Sequence, residues 1–313
     1  MKKNFLYVGL IMFTLLACNK NKESESTPNK AAGSESTDKL TNVYVSSYPL
    51  YYFANRIGGD RIDLHFPMKS SNNVANWKAQ PDSIFAMQNA DLIFISGAGF
   101  ENWLMNVSLP SNILVNTSKN YNDKLLSGGK IFTHSHGKGG EHEHTAKART
   151  TWLDIQLAIK QAEVVANELS IKVPSNKNYF EANFKGLKQE LESLDQQFKE
   201  VVAKNPNVKV VFSHPEYQYF QAAYKIDGES LHWEPSQKLT SKMVHDIEHL
   251  QKTNSIKYII WEDEPLTDSK IALEKMGVKS VVISPILSMP TNVDFMEQLN
   301  NNLASLKNVY KTP

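Results

Sequence analysis

The chain has 313 residues, one cysteine, and 34 basic against 33 acidic side chains, for a net charge of +1. So even a balance creates no field to gather nucleic acid or an acidic partner, and a single thiol cannot close an internal disulfide. The 41% of apolar residues must therefore hold the fold together through ordinary cores.

Lys2 and Lys3 precede an apolar run over residues 5–16, which ends at Ala17 and Cys18. The run is too short to span a bilayer and has the layout of a secretory signal, assigned to residues 1–17. The string LLAC resembles a lipobox, so Cys18 is the expected lipid attachment site and the first residue of the mature chain. Residues 18–40, nearly free of large apolar side chains, cannot offset their ordering entropy by burial and read as a flexible tether.

From residue 41 onward, short apolar runs alternate with amphipathic stretches. The runs fall at 43–47, 62–66, 92–96 and 113–115, then at 208–212, 258–261 and 281–283. Continuous apolar strands separated by helices indicate parallel sheets covered on both faces, so the expected fold is α/β with two lobes, each a mainly parallel sheet flanked by helices. The first lobe is placed at 41–173 and the second at 206–313. Aromatic residues such as Tyr51, Tyr52, Phe53, Trp77 and Trp103 read as core rather than as a ligand cleft.

A loop over 133–149 interrupts the first lobe with HSHGKGGEHEH, which holds His134, His136, His142 and His144, four of the nine histidines in the chain. Neutral imidazole is a common ligand for zinc and similar metals, and a His- and Gly-rich tract cannot pack a core. Between the lobes, Phe180, Phe184, Leu187, Leu191, Leu194, Phe198 and Val201 recur at spacings of four and three. They predict a connecting helix over 174–205, started by Pro174 and ended by Asn205 and Pro206, roughly thirty residues and about 45 Å long. A stiff single connection of that length would limit hinge closure.

In the second lobe, His214 follows the strand at 208–212, and Glu262, Asp263 and Glu264 follow the strand at 258–261. Open α/β sheets bind ligands at such strand ends, where an imidazole and a carboxylate can share a metal. A helix-capping histidine and a solvated acidic loop are the structural alternatives. The string LHWEPS adds His232 beside Trp233 and Glu234.

The succession of lipobox, tether, α/β lobe, His-rich loop, TWLD helix start, long helix, strand-His-x-x-Tyr-x-Tyr-Phe and strand-Glu resembles the zinc and manganese solute-binding lipoproteins of bacterial ABC transporters. The resemblance spans the mature chain and includes PDSIFAMQNADLIFISGAGFENWL at 81–104 and TTWLDIQLAIKQAEVVANEL at 150–169. It implies two lobes joined by one rigid helix with a metal in the cleft. It further implies a lipid-anchored, extracytoplasmic, monomeric protein that is not an enzyme and hands its cargo to a membrane permease.

The same resemblance places four ligands, two of which are missing here. Ala75 and Thr150 stand where histidines are usual, whereas His214 and Glu262 match the remaining positions. The expected completion is His232 first, then a histidine of the 134–144 tract folded over the mouth, with Glu234 or Glu264 after them; a second reading leaves ion capture to the tract alone. Zn2+ is the expected cargo because imidazoles outnumber carboxylates, with Mn2+ or another divalent transition metal as the alternative. A lipoprotein for a non-metal solute or an adhesin is the competing class. A metal-dependent hydrolase ranks below both, since the sequence contains no HExxH run, GxSxG elbow or P-loop.

Overall fold

The computed structural model describes residues 39–71, 73–126 and 148–311. Among them, two four-stranded sheets, all parallel, are flanked by helices, as the alternating pattern predicts. The first is built from β1 (Thr41–Val45), β2 (Ile62–His65), β3 (Leu92–Ile95) and β4 (Leu114–Asn116), in the order β2-β1-β3-β4. Between these strands lie α1 (Tyr48–Gly58) and α2 (Pro81–Gln88), and α3 (Ile155–Lys172) follows them. Central β3, Leu-Ile-Phe-Ile, is buried at all four positions, which is why it reads as an unbroken apolar run rather than an alternating one. Asp154 starts α3 by accepting hydrogen bonds from the backbone N–H groups of Gln156 (2.9 Å) and Leu157 (3.4 Å).

The second sheet repeats the arrangement: β5 (Lys209–Phe212), β6 (Asp227–Ser230), β7 (Tyr258–Trp261) and β8 (Lys279–Val282), in the order β6-β5-β7-β8. Its helices are α5 (Gln218–Tyr224), α6 (Ser241–Asn254), α7 (Thr267–Lys275) and α8 (Phe295–Val309). Edge strand β6 reads Asp-Gly-Glu-Ser and carries no apolar signal at all. Pairing with β5 defines it, and Gly228 permits the close approach: a Cβ there would come within 2.9 Å of the Val210 carbonyl oxygen.

The connecting helix, α4 (Lys177–Ala203), has 27 residues and a length of about 40 Å. It begins after a short 3-10 turn at Pro174–Asn176, so the proline starts the turn and not the helix itself. One face buries Phe180, Leu187, Leu191, Leu194 and Phe198 against α1 and α3 on one side and α5 and α8 on the other. Asp195, 3% exposed on that face, ties the two halves together. It accepts from Lys199 Nζ (2.6 Å), from Gln156 Nε2 at the start of α3 (2.7 Å) and from the Tyr224 hydroxyl on α5 (3.1 Å).

Asp195→Ala should cost about 2 kcal/mol, because it strips the acceptor from the buried Tyr224 hydroxyl, while the exposed Gln156 and Lys199 can turn to water. Urea unfolding measures this, and a loss under about 1 kcal/mol would show that the network contributes little.

A single apolar cluster runs from Val43 in β1 to Tyr310 after α8, so the two sheets share a core. It includes Tyr52, Phe53 and Trp103, with Tyr51 and Trp77 partly buried against it. Residues 40–313 accordingly form one compact unit. No helix among the described residues is long and apolar enough to cross a membrane.

Candidate metal site at the edge of the second sheet

In both sheets the chain reverses its direction of travel between the first and third strands, and ligands of open α/β sheets bind at such switch points. In the first sheet this place is filled by polar groups that satisfy one another. Glu101 is buried and accepts from Ser46 Oγ (2.6 Å) and from the backbone N–H groups of Ser96 (2.7 Å) and Gly97 (3.0 Å). Burial pushes its carboxyl above the usual range in spite of these donors. The loop after β2 docks here through the Ala75 carbonyl, which accepts from Asn102 N (2.9 Å). Ala75 itself is buried and brings no ligand. His65, the one described histidine of the first half, stacks on Tyr44 (centroids 4.7 Å apart) and lies 3.1 Å from Asp63.

The second switch point is different. Phe212 of β5 is in register with Ser230 of β6 and with Ile260 of β7. His214, His232 and Glu262 each lie two residues beyond one member of that row, so parallel pairing delivers two imidazoles and a carboxylate to the same edge of the sheet. The ladder extends past the strands to hold them, through Trp233 N to Ser213 O (2.7 Å), Leu231 N to Phe212 O (2.8 Å) and Ser213 N to Ile260 O (2.8 Å).

The two rings meet edge to face, with centroids 5.6 Å apart and planes at 75°. His214 Nε2 lies 3.6 Å from Glu234 Oε1, while His214 Nδ1 is buried and has no hydrogen-bond partner. Burial raises the pKa of Glu262; His214 opposes the rise, and Glu234, Glu216 and Asp263 add to it. Of the other acidic candidates, Glu264 is committed to Lys270 (2.8 Å) and Asp263 accepts from Glu264 N (2.7 Å).

Thr150 is buried directly against this region, where its hydroxyl donates to the Glu216 carbonyl oxygen (2.5 Å). Its neighbour Arg149 pairs with the Glu216 carboxylate (2.9 Å). This clamp joins the segment before α3 to the turn after β5, and nothing in the local sequence announces it: the partners are 67 positions apart. His134, His136, His142, His144 and Cys18 lie outside the described residues. Among the described residues, no three His, Cys, Asp or Glu side chains converge into a formed metal polyhedron.

Two parallel sheets that share a core, with imidazole and carboxylate side chains at the switch point of one of them, have the layout of a two-lobed solute-binding protein. The chain belongs to the ZnuA family, described as zinc-uptake complex component A, periplasmic, which matches residues 43–309. It is 26% identical to the high-affinity zinc uptake system protein ZnuA of Bacillus subtilis over 96% of both chains. It is also 28% identical to the manganese ABC transporter substrate-binding lipoprotein PsaA of Streptococcus pneumoniae, over 73% of this chain and 70% of that one. The fold is shared with the crystal structure of the metal-dependent lipoprotein YcdH of Bacillus subtilis, with a TM-score of 0.75 and 21% identity over 87% of this chain and 100% of the other.

Proposed function

We propose that this chain is the extracytoplasmic, lipid-anchored solute-binding component of an ABC importer, that its cargo is a divalent metal ion, zinc ahead of manganese or iron, and that a membrane permease receives it. The observation that carries this reading is the aligned placement of His214, His232 and Glu262 at the switch point of the second sheet. Nitrogen donors outnumber oxygen donors in that row, which favours a borderline ion such as zinc over the harder manganese. The relatives divide among zinc, manganese and iron in their names, so the preference for zinc is argued from the donor set of this chain.

His214 and Glu262 are assigned as the principal protein ligands, His232 as the next donor, and His134, His136, His142 and His144 as a separate capture tract. Glu234 serves to orient the His214 ring, at 3.6 Å from Nε2. Lipidation at Cys18 and a tether over 18–40 would hold the binding unit near its permease.

Elemental analysis of protein purified without chelators tests the reading. About one equivalent of zinc should remain after the 134–144 tract is deleted. Complete loss of metal on that deletion would move the site to the tract, and an absence of metal in both forms would favour a non-metal solute.

A further inference from the structure

We infer that the outer face of α6 is a second metal-binding site of this protein, in which His245 and His249 grip one divalent transition-metal ion and water completes its coordination. The inference goes beyond the function proposed above and does not depend on the row at the second sheet.

The sequence of α6 fixes which side chains meet. Met243, Ile247 and Leu250 are buried in one apolar cluster with Val211 of β5 and Ile259 of β7. At 3.6 residues per turn, the face opposite that stripe carries His245, Glu248, His249 and Lys252, and all four are exposed. The helix is fixed at both ends. Thr240 Oγ1 accepts from Met243 N (3.3 Å), and Ser255 N donates to the Gln251 carbonyl oxygen (3.1 Å) where the chain turns off with a positive φ of 55°. Both histidines therefore stand on regular helix inside two anchored ends.

Residues four apart on a helix hold their Cβ atoms about 5 to 6 Å from each other on one face. Two imidazoles at that spacing can aim ring nitrogens at a common ion about 2.0 to 2.1 Å from each, which is how two histidines of one helix bind zinc in H-E-x-x-H proteins. His245-Asp246-Ile247-Glu248-His249 keeps that spacing in the inverted order H-x-x-E-H. Neither ring is engaged. Among the described residues the His245 and His249 rings make no hydrogen bond, ion pair or ring contact, unlike His65, which stacks on Tyr44 and pairs with Asp63. They can turn to an ion without breaking anything.

Charge does not oppose that ion. Lys242, on the turn before His245, is held by Asp246 (2.7 Å), and Glu248, one turn before Lys252, offsets its ammonium. Two nitrogen donors select ions that accept imidazole, namely copper, nickel and zinc, over manganese, which prefers oxygen. No third His, Cys, Asp or Glu joins the pair among the described residues. A catalytic zinc takes three protein ligands, so the H-x-x-E-H spacing here serves loose, exchangeable capture and not hydrolysis.

The test uses the full chain with His134, His136, His142, His144, His214 and His232 replaced by alanine, which leaves His65, His245 and His249 as its only histidines. Calorimetric titrations use copper(II), zinc and manganese(II) chlorides in a buffer that does not chelate. One equivalent of copper or zinc should bind, copper the more tightly, and manganese should bind at least about 30-fold more weakly than zinc. His245→Ala and His249→Ala should each weaken copper and zinc by about tenfold or more, and the double variant should add little, because one ion bridging two rings is lost when either ring goes. Should the changes at His214 and His232 disturb folding, an NMR titration with zinc of the chain that keeps them reads the same site. The ring signals of His245 and His249 should then shift together, at one common zinc concentration.

Two ions bound with equal and independent affinities, one lost with each histidine, would overturn the shared site. Binding that ignores both variants, or ring signals that move at separate zinc concentrations, would overturn it as well.

Discussion

Trp152→Ala is expected to destabilise the folded unit by about 4 kcal/mol, in the range for removing a large aromatic ring from a core. The indole is wholly buried, packs edge to face on Phe100 (centroids 5.0 Å apart, planes at 82°) and donates its N–H to the Pro285 carbonyl 133 positions away. It thus joins the α3 segment of the first half to the loop after β8 in the second. Trp152→Phe keeps much of the apolar area and gives up the hydrogen bond, so a smaller loss of about 1 to 2 kcal/mol is expected. Urea unfolding of both variants gives the comparison. A loss below about 1.5 kcal/mol for the alanine variant would mean that the halves do not depend on this contact.

The second large effect concerns the site. In the protein with His134, His136, His142 and His144 replaced by alanine, His214→Ala should lower zinc affinity by about 100-fold or more. Loss of a residue that merely orients a ligand costs about 10- to 100-fold, and loss of the ligand should exceed that. His232→Ala is expected to give a smaller drop, and Glu234→Gln one within the orienting range, because Glu234 acts through the His214 ring. Competition with a chromogenic zinc indicator reads all three. Unchanged affinity in the His214 and His232 double variant would remove the edge of the second sheet as the site.

Much of this architecture was legible in the residues. Strands such as β3 and β7 are apolar throughout because both faces are covered, and His214 and Glu262 stand out because each comes within two residues of the end of such a run. Strand β6 was not legible, since Asp-Gly-Glu-Ser has neither alternation nor apolar content and exists only through pairing with β5. His232 could be singled out from its composition, but its alignment with His214 depends on that unseen strand. The Arg149–Glu216 clamp and the buried Glu101 were missed for a related reason. Their partners are remote in the chain or are backbone N–H groups, and neither leaves a periodic trace. Glu101 did have one faint signal, a carboxylate placed just after Gly97-Ala98-Gly99, where positive φ angles (72°, 53° and 78°) fold the backbone back toward it.

The apolar cluster that the two sheets share bears on how cargo leaves. Halves that share side chains from Val43 to Tyr310 and are cross-tied at Asp195 cannot swing apart without breaking that interior, so unloading by a wide yawn of the molecule would cost much of its stability. For the site proposed above, discharge would then proceed by exchange of ligands at the strand ends of the second sheet rather than by separation of the halves.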